Sequence, residues 1–475
     1  MDTRNSSILL LAAGIFTLSL TGCTAGKSSQ RINVLFIIVD DMKPAIGCFG
    51  DTKAITPNID SLASRATVFT HAYCQQALSG PSRASLFTGL RPESAGVTEL
   101  DSPMRNRPNI ITMPQAFKNN GYETRSIGKT FHGERNTLDS LSWSAAPVFY
   151  RYSKSDEYQM GQNKTGKKAA AYEFTDMPEE QYLDIRIRNE ALKQLEELSN
   201  GDKKFFMVVG FLKPHLPFCA PKRFLDLYKN TSFEIKDTSR IKGAPAVAYH
   251  NSEELRGYTD ITDTGSIGSK KEMNLKKAYY ACVSYTDENI GRLIDRLKEL
   301  GQYDNTVIII AGDHGFHTGE QGLWGKSTNY EEACHAPLII KGIQQKTGAI
   351  VSTPIEFIDI FPTIADLCKI NIEYSLQGKN ILNPDCNNHY AFSQFPRPYK
   401  ALHDARHRTH MGYAVRDSAW RYIEWYDNNG QITDRELYYL RKFSAEKTNI
   451  ANNERAEAIV DRLADTLHSV FLVEK

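Results

Sequence analysis

The chain has 475 residues, enough to bury a large core and to form two or three domains. Its composition, 41% apolar and 24% charged, is that of an ordinary soluble globular protein. Because 57 Lys and Arg residues stand against 56 Asp and Glu residues, the net charge of +1 gives no support to nucleic-acid binding. Any anionic substrate must therefore be bound by a local cluster of cations.

The N-terminus has the features of an export signal. An apolar run over residues 8–20 is too short to span a bilayer, and the motif Leu20-Thr-Gly-Cys23 at its end resembles the lipobox of bacterial lipoproteins. We therefore expect a signal peptide over residues 1–22, lipid on Cys23, and a polar tether over residues 23–31. An ordinary cleaved signal peptide is the alternative. A lipoprotein signal predicts a periplasmic protein that is lipid-anchored in the outer membrane.

Apolar runs alternate with helical patterns along most of the chain. The run Asn33–Val39 is continuous and rich in β-branched residues, which is typical of a strand buried on both faces of a parallel sheet. Similar runs occupy residues 205–211, 306–311 and 337–340, and helical patterns occupy residues 114–119, 181–198 and 276–300. This alternation predicts an α/β fold with crossover connections.

Three parts of the chain depart from that alternation. Residues 151–175 and 231–272 are polar and irregular, and we expect surface loops there. From about residue 387 a short aromatic-rich alternation begins, and a helical pattern follows over residues 454–471. We therefore expect a large N-terminal domain over residues 32–386, and a C-terminal subdomain over residues 387–475 that consists of a small antiparallel sheet and a helix.

The cysteines predict no metal site of their own. The chain has 8 cysteines, and apart from Cys23 they show neither a CxxC pair nor a zinc spacing. Export would permit disulfides, but the sequence alone assigns none. We expect most of these side chains to be small, buried and apolar.

Acidic residues follow two of the predicted strands. Asp40 and Asp41 come directly after the first strand, and Asp313 and His314 follow the strand predicted at 306–311. Ligands of open α/β sheets bind at the carboxyl ends of the strands, so these four side chains can meet at one point. A solvated turn is the alternative for an isolated Asp-Asp pair. An oxygen-rich set with a single imidazole suits calcium better than zinc.

The segment Ser79-Gly-Pro-Ser-Arg83 is a Gly-Pro turn that opens a helix. A helix N-terminus favours an anion, and the Arg83 guanidinium offers a planar pair of donors for an oxyanion. A plain helix start without a ligand would have the same pattern.

This segment resembles the signature of the sulfatase family, Cys/Ser-x-Pro-Ser-Arg. The other motifs of that family stand in the family's order: Asp40-Asp41, Gly128-Lys129-Thr-Phe-His132, Lys213-Pro-His215, Asp313-His314-Gly315 and Lys326. Within the family, residues 37–44, 211–217, 391–398 and 410–416 resemble the iduronate-2-sulfatase branch. The resemblance implies an alkaline-phosphatase-like fold, with a large mixed sheet flanked by helices in a catalytic domain.

The resemblance also implies a sulfuric ester hydrolase and the roles of its residues. Ser79 would be oxidised to formylglycine, the nucleophile. Because aerobic members carry cysteine there, a serine-competent maturation enzyme of an anaerobic type is implied as a partner. One calcium ion would be held by Asp40, Asp41, Ser79, Asp313 and His314. The remaining site residues would be Arg83, Lys129 and Lys326 on the sulfate, His132 as the base and His215 as the acid, with Lys129, His215 and Lys326 in contact with the substrate.

The resemblance to the iduronate-2-sulfatase branch implies a sulfated oligosaccharide as the substrate. The scissile group would be the 2-O-sulfate of a hexuronate, including a 4,5-unsaturated one, at the non-reducing end of a heparan-type or chondroitin-type chain. Arg397 and His403 are the candidates for binding the uronate carboxylate. Three alternatives stay open: a sulfatase for another position such as 6-O, a phosphodiesterase or phosphonate hydrolase of the same fold, and an inactive sulfate-binding lipoprotein.

Overall fold

The computed structural model describes residues 32–107, 109–150, 154–234, 239–383, 390–441 and 446–471. From Ile32 onward the chain forms one compact unit. The predicted signal peptide, the tether with Cys23 and the predicted boundary at residues 386 and 387 lie outside the described residues, so they stay predictions. No helix in the described part of the chain is long and apolar enough to cross a bilayer.

The strands are β1 (Asn33–Val39), β2 (Thr67–Phe69), β3 (Ala72–Tyr73), β4 (Glu123–Gly128), β5 (Tyr172–Thr175), β6 (Phe205–Phe211), β7 (Phe218–Pro221), β8 (Thr306–Gly312), β9 (His317–Thr318), β10 (Trp324–Gly325), β11 (Leu338–Lys341), β12 (Ala349–Val351), β13 (Ile355–Glu356), β14 (Ala391–Arg397), β15 (His410–Arg416), β16 (Trp420–Asp427) and β17 (Ile432–Tyr439). The α-helices are α1 (Pro57–Ala63), α2 (Ser79–Thr88), α3 (Pro92–Ala95), α4 (Met113–Asn119), α5 (Glu134–Thr137), α6 (Leu183–Asn200), α7 (Lys222–Asp226), α8 (Glu253–Arg256), α9 (Ser269–Glu299), α10 (Glu331–Cys334), α11 (Ile360–Cys368) and α12 (Glu457–Phe471).

A seven-stranded mixed sheet forms the centre of the molecule, in the order β12-β2-β11-β8-β1-β6-β4. β1 pairs in parallel with β6 and β8, and β4 pairs in parallel with β6, whereas β11 runs antiparallel to both of its neighbours. β1, β6 and β8 are buried along their whole length, which explains why their sequences are continuous apolar runs. The predicted α/β sheet is therefore confirmed.

Helices cover both faces of this sheet. Val34, Phe36 and Ile38 of β1 pack in one apolar cluster with α2, α4 and α11. Leu35 and Ile37 point to the other face and pack with α1, α6 and α9. The alternation of side chains along one strand thus builds two cores, one on each side of the sheet.

The C-terminal part forms a second, four-stranded sheet in the order β14-β15-β16-β17, with antiparallel pairing throughout. Leu463 and Leu467 of α12 pack against this sheet. The buried Arg421 of β16 joins it to the rest of the molecule, because its guanidinium is 2.7 Å from the Glu331 carboxylate of α10. The predicted small antiparallel sheet with a helix is confirmed.

The prediction of surface loops at 151–175 and 231–272 is wrong in part. Residues 172–175 form β5, which pairs in parallel with β7, and α9 begins within the second segment. Leu255, Tyr258 and Ile261 of that segment are buried in a cluster with α9. These residues are spaced by three, but of the three only Leu255 lies in a helix, α8, so the burial depends on tertiary contacts that the local pattern does not show.

The described cysteines are free thiols. Cys74, Cys219, Cys282, Cys334 and Cys368 are buried, as expected of small apolar side chains.

Candidate active site

The carboxyl ends of neighbouring parallel strands bring two acidic pairs together. β1 continues into Asp40 and Asp41, and β8 into Asp313 and His314. The Asp313 amide donates to the Val39 carbonyl at 3.0 Å, and the Asp41 amide donates to Asp313 Oδ1 at 3.0 Å. Asp41 has a φ of 58°, a left-handed conformation that is uncommon for a residue other than glycine. Such backbone is typical of functional sites.

Four of the five predicted metal ligands lie in two groups that share Asp41. One ligand atom each from Asp41, Asp313 and His314 lie within 4.8 Å of one another, and Asp40, Asp41 and His215 form a second such group. Asp40, Asp41, Asp313 and His314 are each 0% exposed. Buried carboxylates this close repel one another unless positive charge lies between them. The donor set therefore fits a divalent cation that prefers oxygen ligands.

Ser79 stands at the start of α2, beside this cluster. Its Oγ is 3.1 Å from Asp40 Oδ1 and 3.1 Å from His314 Nε2, and the residue is 2% exposed. The first amides of a helix have no partner within the helix, so an anion is favoured at this point. Gly80 is required next to it, because a Cβ there would lie 2.4 Å from the carbonyl oxygen of Leu100.

Arg83 binds the acidic cluster from within the same helix. Its guanidinium is 3.1 Å from Asp40 Oδ1 and 3.0 Å from Asp313 Oδ2, and the side chain is fully buried. It also donates to the carbonyls of Lys129 and Thr130, which follow β4. One planar group thus connects the ends of β1, β8 and β4.

Two lysines complete the positive charge of the site. Lys129 forms an ion pair with Asp40, and Lys326 Nζ is 2.9 Å from Asp41 Oδ1 and 3.1 Å from Glu254. Burial alone would raise the pKa of Asp40, but the surrounding cations, Lys129 foremost, hold it well below its usual value. Burial would lower the pKa of Lys326, but Asp41 and Glu254 raise it well above its usual value. Asp40 and Lys326 are therefore both charged at neutral pH.

The two predicted catalytic histidines have different surroundings. The His132 side chain is 19% exposed, with Nε2 3.9 Å from Asp101 Oδ1. Burial, followed by the charge of Lys129, holds the pKa of His132 well below its usual value, so its ring is neutral and can accept a proton. His215 Nε2 is 4.0 Å from Asp40 Oδ2 and 3.2 Å from Glu254 Oε1.

Glu254 of α8 is a residue of the site that the sequence did not reveal. Its carboxylate contacts both His215 and Lys326. Burial would raise the pKa of Glu254, but Lys326 and His215 lower it well below its usual value, so the group is an anion. It lies in the segment that was predicted to be a surface loop, and no motif or period marked it.

The two candidates for a substrate carboxylate are placed differently. Arg397 is 3% exposed, and it donates to the carbonyls of Val247 at 2.9 Å and Ala248 at 2.8 Å. Burial lowers its pKa to about 10. These contacts use only part of its N–H donors, so the predicted contact with a substrate stays a prediction. The His403 side chain is 53% exposed, and its Nδ1 is 3.5 Å from the Asp101 carboxylate that also approaches His132.

Comparison with known protein families agrees with this geometry. Residues 32–370 match the model of the sulfatase family, and residues 319–471 match the model described as N-sulphoglucosamine sulphohydrolase, C-terminal. The chain belongs to the sulfatase family. The iduronate 2-sulfatase of Homo sapiens is 30% identical over 520 residues, which cover 91% of this chain and 93% of that protein. The N-acetylglucosamine-6-O-sulfatase of Bacteroides thetaiotaomicron is 26% identical over 515 residues, which cover 94% and 87% of the two chains.

Solved structures share the fold of this sulfatase. BT4656 in complex with its substrate D-glucosamine-2-N,6-O-disulfate has a TM-score of 0.73 at 24% identity, over 92% of this chain and 97% of that chain. The phosphonate monoester hydrolase of Agrobacterium radiobacter has a TM-score of 0.73 at 21% identity, over 92% of this chain and 95% of that chain. The predicted alkaline-phosphatase-like fold is confirmed. Membership of the family makes the chain a sulfuric ester hydrolase, and it implies a formylglycine and a divalent metal.

A change at Glu254 tests its part in the site. Glu254→Gln keeps the shape of the side chain but removes its charge, so Lys326 and His215 lose their shared anionic partner. A hydrogen bond to a charged group contributes about 1.5–3 kcal/mol, so we expect kcat/KM for sulfate release to fall about tenfold or more. The matched control is Glu234→Gln, in the same segment but with an exposed side chain, and it should behave as the wild type. Equal steady-state rates for wild type and Glu254→Gln would show that Glu254 does not contribute to catalysis.

Proposed function

We propose that this sulfatase removes the 2-O-sulfate of a hexuronate at the non-reducing end of heparan-type or chondroitin-type oligosaccharides, with a formylglycine derived from Ser79 as nucleophile. The observation that carries the proposed nucleophile is the position of residue 79. It stands at the N-terminus of α2, with its Oγ 3.1 Å from both Asp40 and His314 and with three buried cations around the same cluster.

Calcium is the proposed metal of the site. Asp40, Asp41, Asp313 and His314 would hold it, together with residue 79. Such an oxygen-rich set with one imidazole favours calcium over zinc. Bound there, the cation would supply Lewis-acid polarisation of a sulfate oxygen.

The residues around the nucleophile act in both halves of the proposed reaction. A hydrated formylglycine supplies one hydroxyl that attacks sulfur and a second that lets sulfate leave without attack of water on sulfur. Arg83, Lys129 and Lys326 stabilise the negative charge that develops on the sulfate oxygens. His132, neutral because of its burial and of Lys129, accepts the proton of the attacking hydroxyl, releases it to solvent, and then accepts the proton of the second hydroxyl as sulfate leaves.

His215 is the proposed general acid. A sugar alkoxide is a poor leaving group, so its oxygen must receive a proton as the bond to sulfur breaks. His215 Nε2 lies beside the acidic cluster, and Glu254 at 3.2 Å holds that edge of the ring. Its Nδ1 is 2.6 Å from the Leu216 carbonyl, which leaves Nε2 as the nitrogen that faces the site.

The sulfate position is proposed from the relatives. The iduronate 2-sulfatase of Homo sapiens matches over nearly the whole chain at 30% identity, which supports a 2-O-sulfate as the group that is removed. The alternative is 6-O, supported by the N-acetylglucosamine-6-O-sulfatase at 26% identity. Of the two candidates for the uronate carboxylate, the exposed His403 is favoured over Arg397, which is buried and donates to two main-chain carbonyls. A zinc-dependent phosphodiesterase or phosphonate hydrolase is disfavoured because His314 is the one imidazole among the proposed ligands.

The place of action is also a proposal. Lipid on Cys23 would anchor the mature chain to the outer membrane, facing the periplasm, where imported oligosaccharides arrive after lyases have cut them. Such products carry a 4,5-unsaturated uronate at the non-reducing end, which suits the proposed substrate. A maturation enzyme that accepts serine would be the partner that oxidises Ser79.

The nucleophile is tested by mass and activity together. Protein that carries unmodified serine should bind substrate but release negligible sulfate, since an ordinary hydroxyl cannot expel sulfate by collapse to an aldehyde. Co-expression with a serine-type maturation enzyme should give an active-site peptide with two hydrogens fewer, and activity in proportion to that peptide. Ser79→Ala is the control without activity. Full activity in material whose peptide mass shows only serine would refute the mechanism.

The metal is tested by removal and return. Chelation should abolish turnover, and calcium but not zinc should restore it, with one ion per chain measured by elemental analysis. Asp313→Asn should lose the ion because it removes a charged ligand. Asp304→Asn, an exposed residue just before β8, should keep it. Retention of full activity after complete chelation would exclude a metal requirement.

The substrate is tested with unsaturated disaccharides that carry one sulfate each, at 2-O, 6-O or N. We expect release from the 2-O-sulfated uronate to have the largest kcat/KM, because the relative at 30% identity is named for that position. Preferential release of 6-O-sulfate or N-sulfate would overturn the position and leave the sulfatase assignment intact.

A further inference from the structure

The segment after β6 folds around a buried ammonium group. Lys213 is 5% exposed, and its Nζ is 2.8 Å from the Glu157 carboxylate, 3.0 Å from the His215 carbonyl and 2.7 Å from the Pro217 carbonyl. These three acceptors match the three hydrogens of an ammonium group. Burial would lower the pKa of Lys213, but the Glu157 charge outweighs it and raises the pKa, so the donors are kept at neutral pH.

Other contacts hold the beginning of the same segment. The Asp184 carboxylate of α6 accepts from the amides of Leu212 at 2.9 Å and Lys213 at 2.8 Å. Thr286 of α9 donates to the Lys213 carbonyl at 2.8 Å. Among these anchors, the Lys213 ammonium is the one that binds the carbonyl of His215 itself. It therefore connects the main chain that carries the histidine to the buried Glu157.

The position of the His215 ring depends on that main chain. Its Nε2 lies 3.2 Å from Glu254 and 3.9 Å from Asp41, on the side of the acidic cluster. A general acid must come within about 2.6–3.2 Å of the atom that it protonates. A displacement of about 1 Å in an active site can lower the rate about 100-fold. A tilt of the segment would therefore change the distance from His215 Nε2 to the oxygen that it protonates.

We propose that Lys213 is a positioning residue for the leaving-group acid, and that its contacts with Glu157 and with the carbonyls of His215 and Pro217 set the distance from His215 to the leaving oxygen. The inference rests on the proposed role of His215 as that acid. The contacts of the Lys213 ammonium are with Glu157 and two carbonyls, so the lysine acts through the histidine and does not itself touch the sulfate. A role in stability alone is the competing explanation for a buried ion pair.

The two explanations differ in how the effect depends on the leaving group. A sugar alkoxide needs a proton as it leaves, whereas 4-nitrophenolate leaves without one. If Lys213 positions the acid, Lys213→Met should lower kcat on the sulfated disaccharide by about 100-fold and leave kcat on 4-nitrophenyl sulfate within about threefold of the wild type. A loss of folded protein would lower both rates by the same factor.

The experiment uses the matured, calcium-loaded protein and four variants. His215→Ala defines the ratio of the two rates when the acid is absent. Lys213→Met combined with Glu157→Gln avoids an unpaired buried carboxylate, so it keeps the test valid if the single variant unfolds. Lys276→Met is the matched control, because Lys276 is also 5% exposed but donates to the Glu234 carbonyl away from His215.

The result expected is that Lys213→Met, alone or in the double variant, shows the selective loss seen in His215→Ala, whereas Lys276→Met does not. An equal loss on both substrates in the Lys213 variants, with a selective loss in His215→Ala, would overturn the inference and leave the acid assignment intact. Equal losses in His215→Ala would instead overturn the proposed acid, and the inference with it.

Discussion

Charge balance at the carboxyl edge of the sheet is the constraint on which the rest of the site depends. The carboxylates of Asp40, Asp41 and Asp313 are removed from water, at a cost of several kcal/mol for each unpaired ion. Arg83 and the two site lysines offset that cost with direct ion pairs. The same cations are the groups proposed to bind sulfate. A divalent ion bound to the carboxylates would neutralise their charge in place of these cations. The cations would then be available to bind sulfate.

The parts of the molecule that the sequence predicts are those in which the local pattern of apolar and polar residues determines where a segment lies in the fold. A strand buried on both faces must be a continuous apolar run, and a polar residue directly after such a run must lie at the edge of the sheet. Asp40 and Asp313 follow two such runs, so the sequence alone predicts both at the edge of the sheet. The family motifs then added Lys129 and His215, which follow β4 and β6, the next parallel strands in the same sheet.

The rest could not be read from local pattern because its position depends on distant contacts. Glu254 lies on a single short helical turn within a polar stretch, and only the packing of that stretch on α9 brings it to His215. Arg397 is another such residue. Its charge predicts a carboxylate partner, which stays a prediction, and in the fold it donates to the main-chain carbonyls of Val247 and Ala248. The type of a charged residue limits the groups that it can bind. Which of these groups it contacts depends on the segments that pack around it in the fold.

The burial of α2 has a consequence for the order of events in the life of the chain. All residues of this helix, from Ser79 to Thr88, are buried, and the Leu100 carbonyl closes over Gly80. In the folded chain Ser79 is 2% exposed, which leaves a second enzyme little access to its hydroxyl. The proposed oxidation is therefore expected while the segment is still extended, before the sheet closes over it. A chain that folds before this oxidation would then keep an unmodified serine at residue 79.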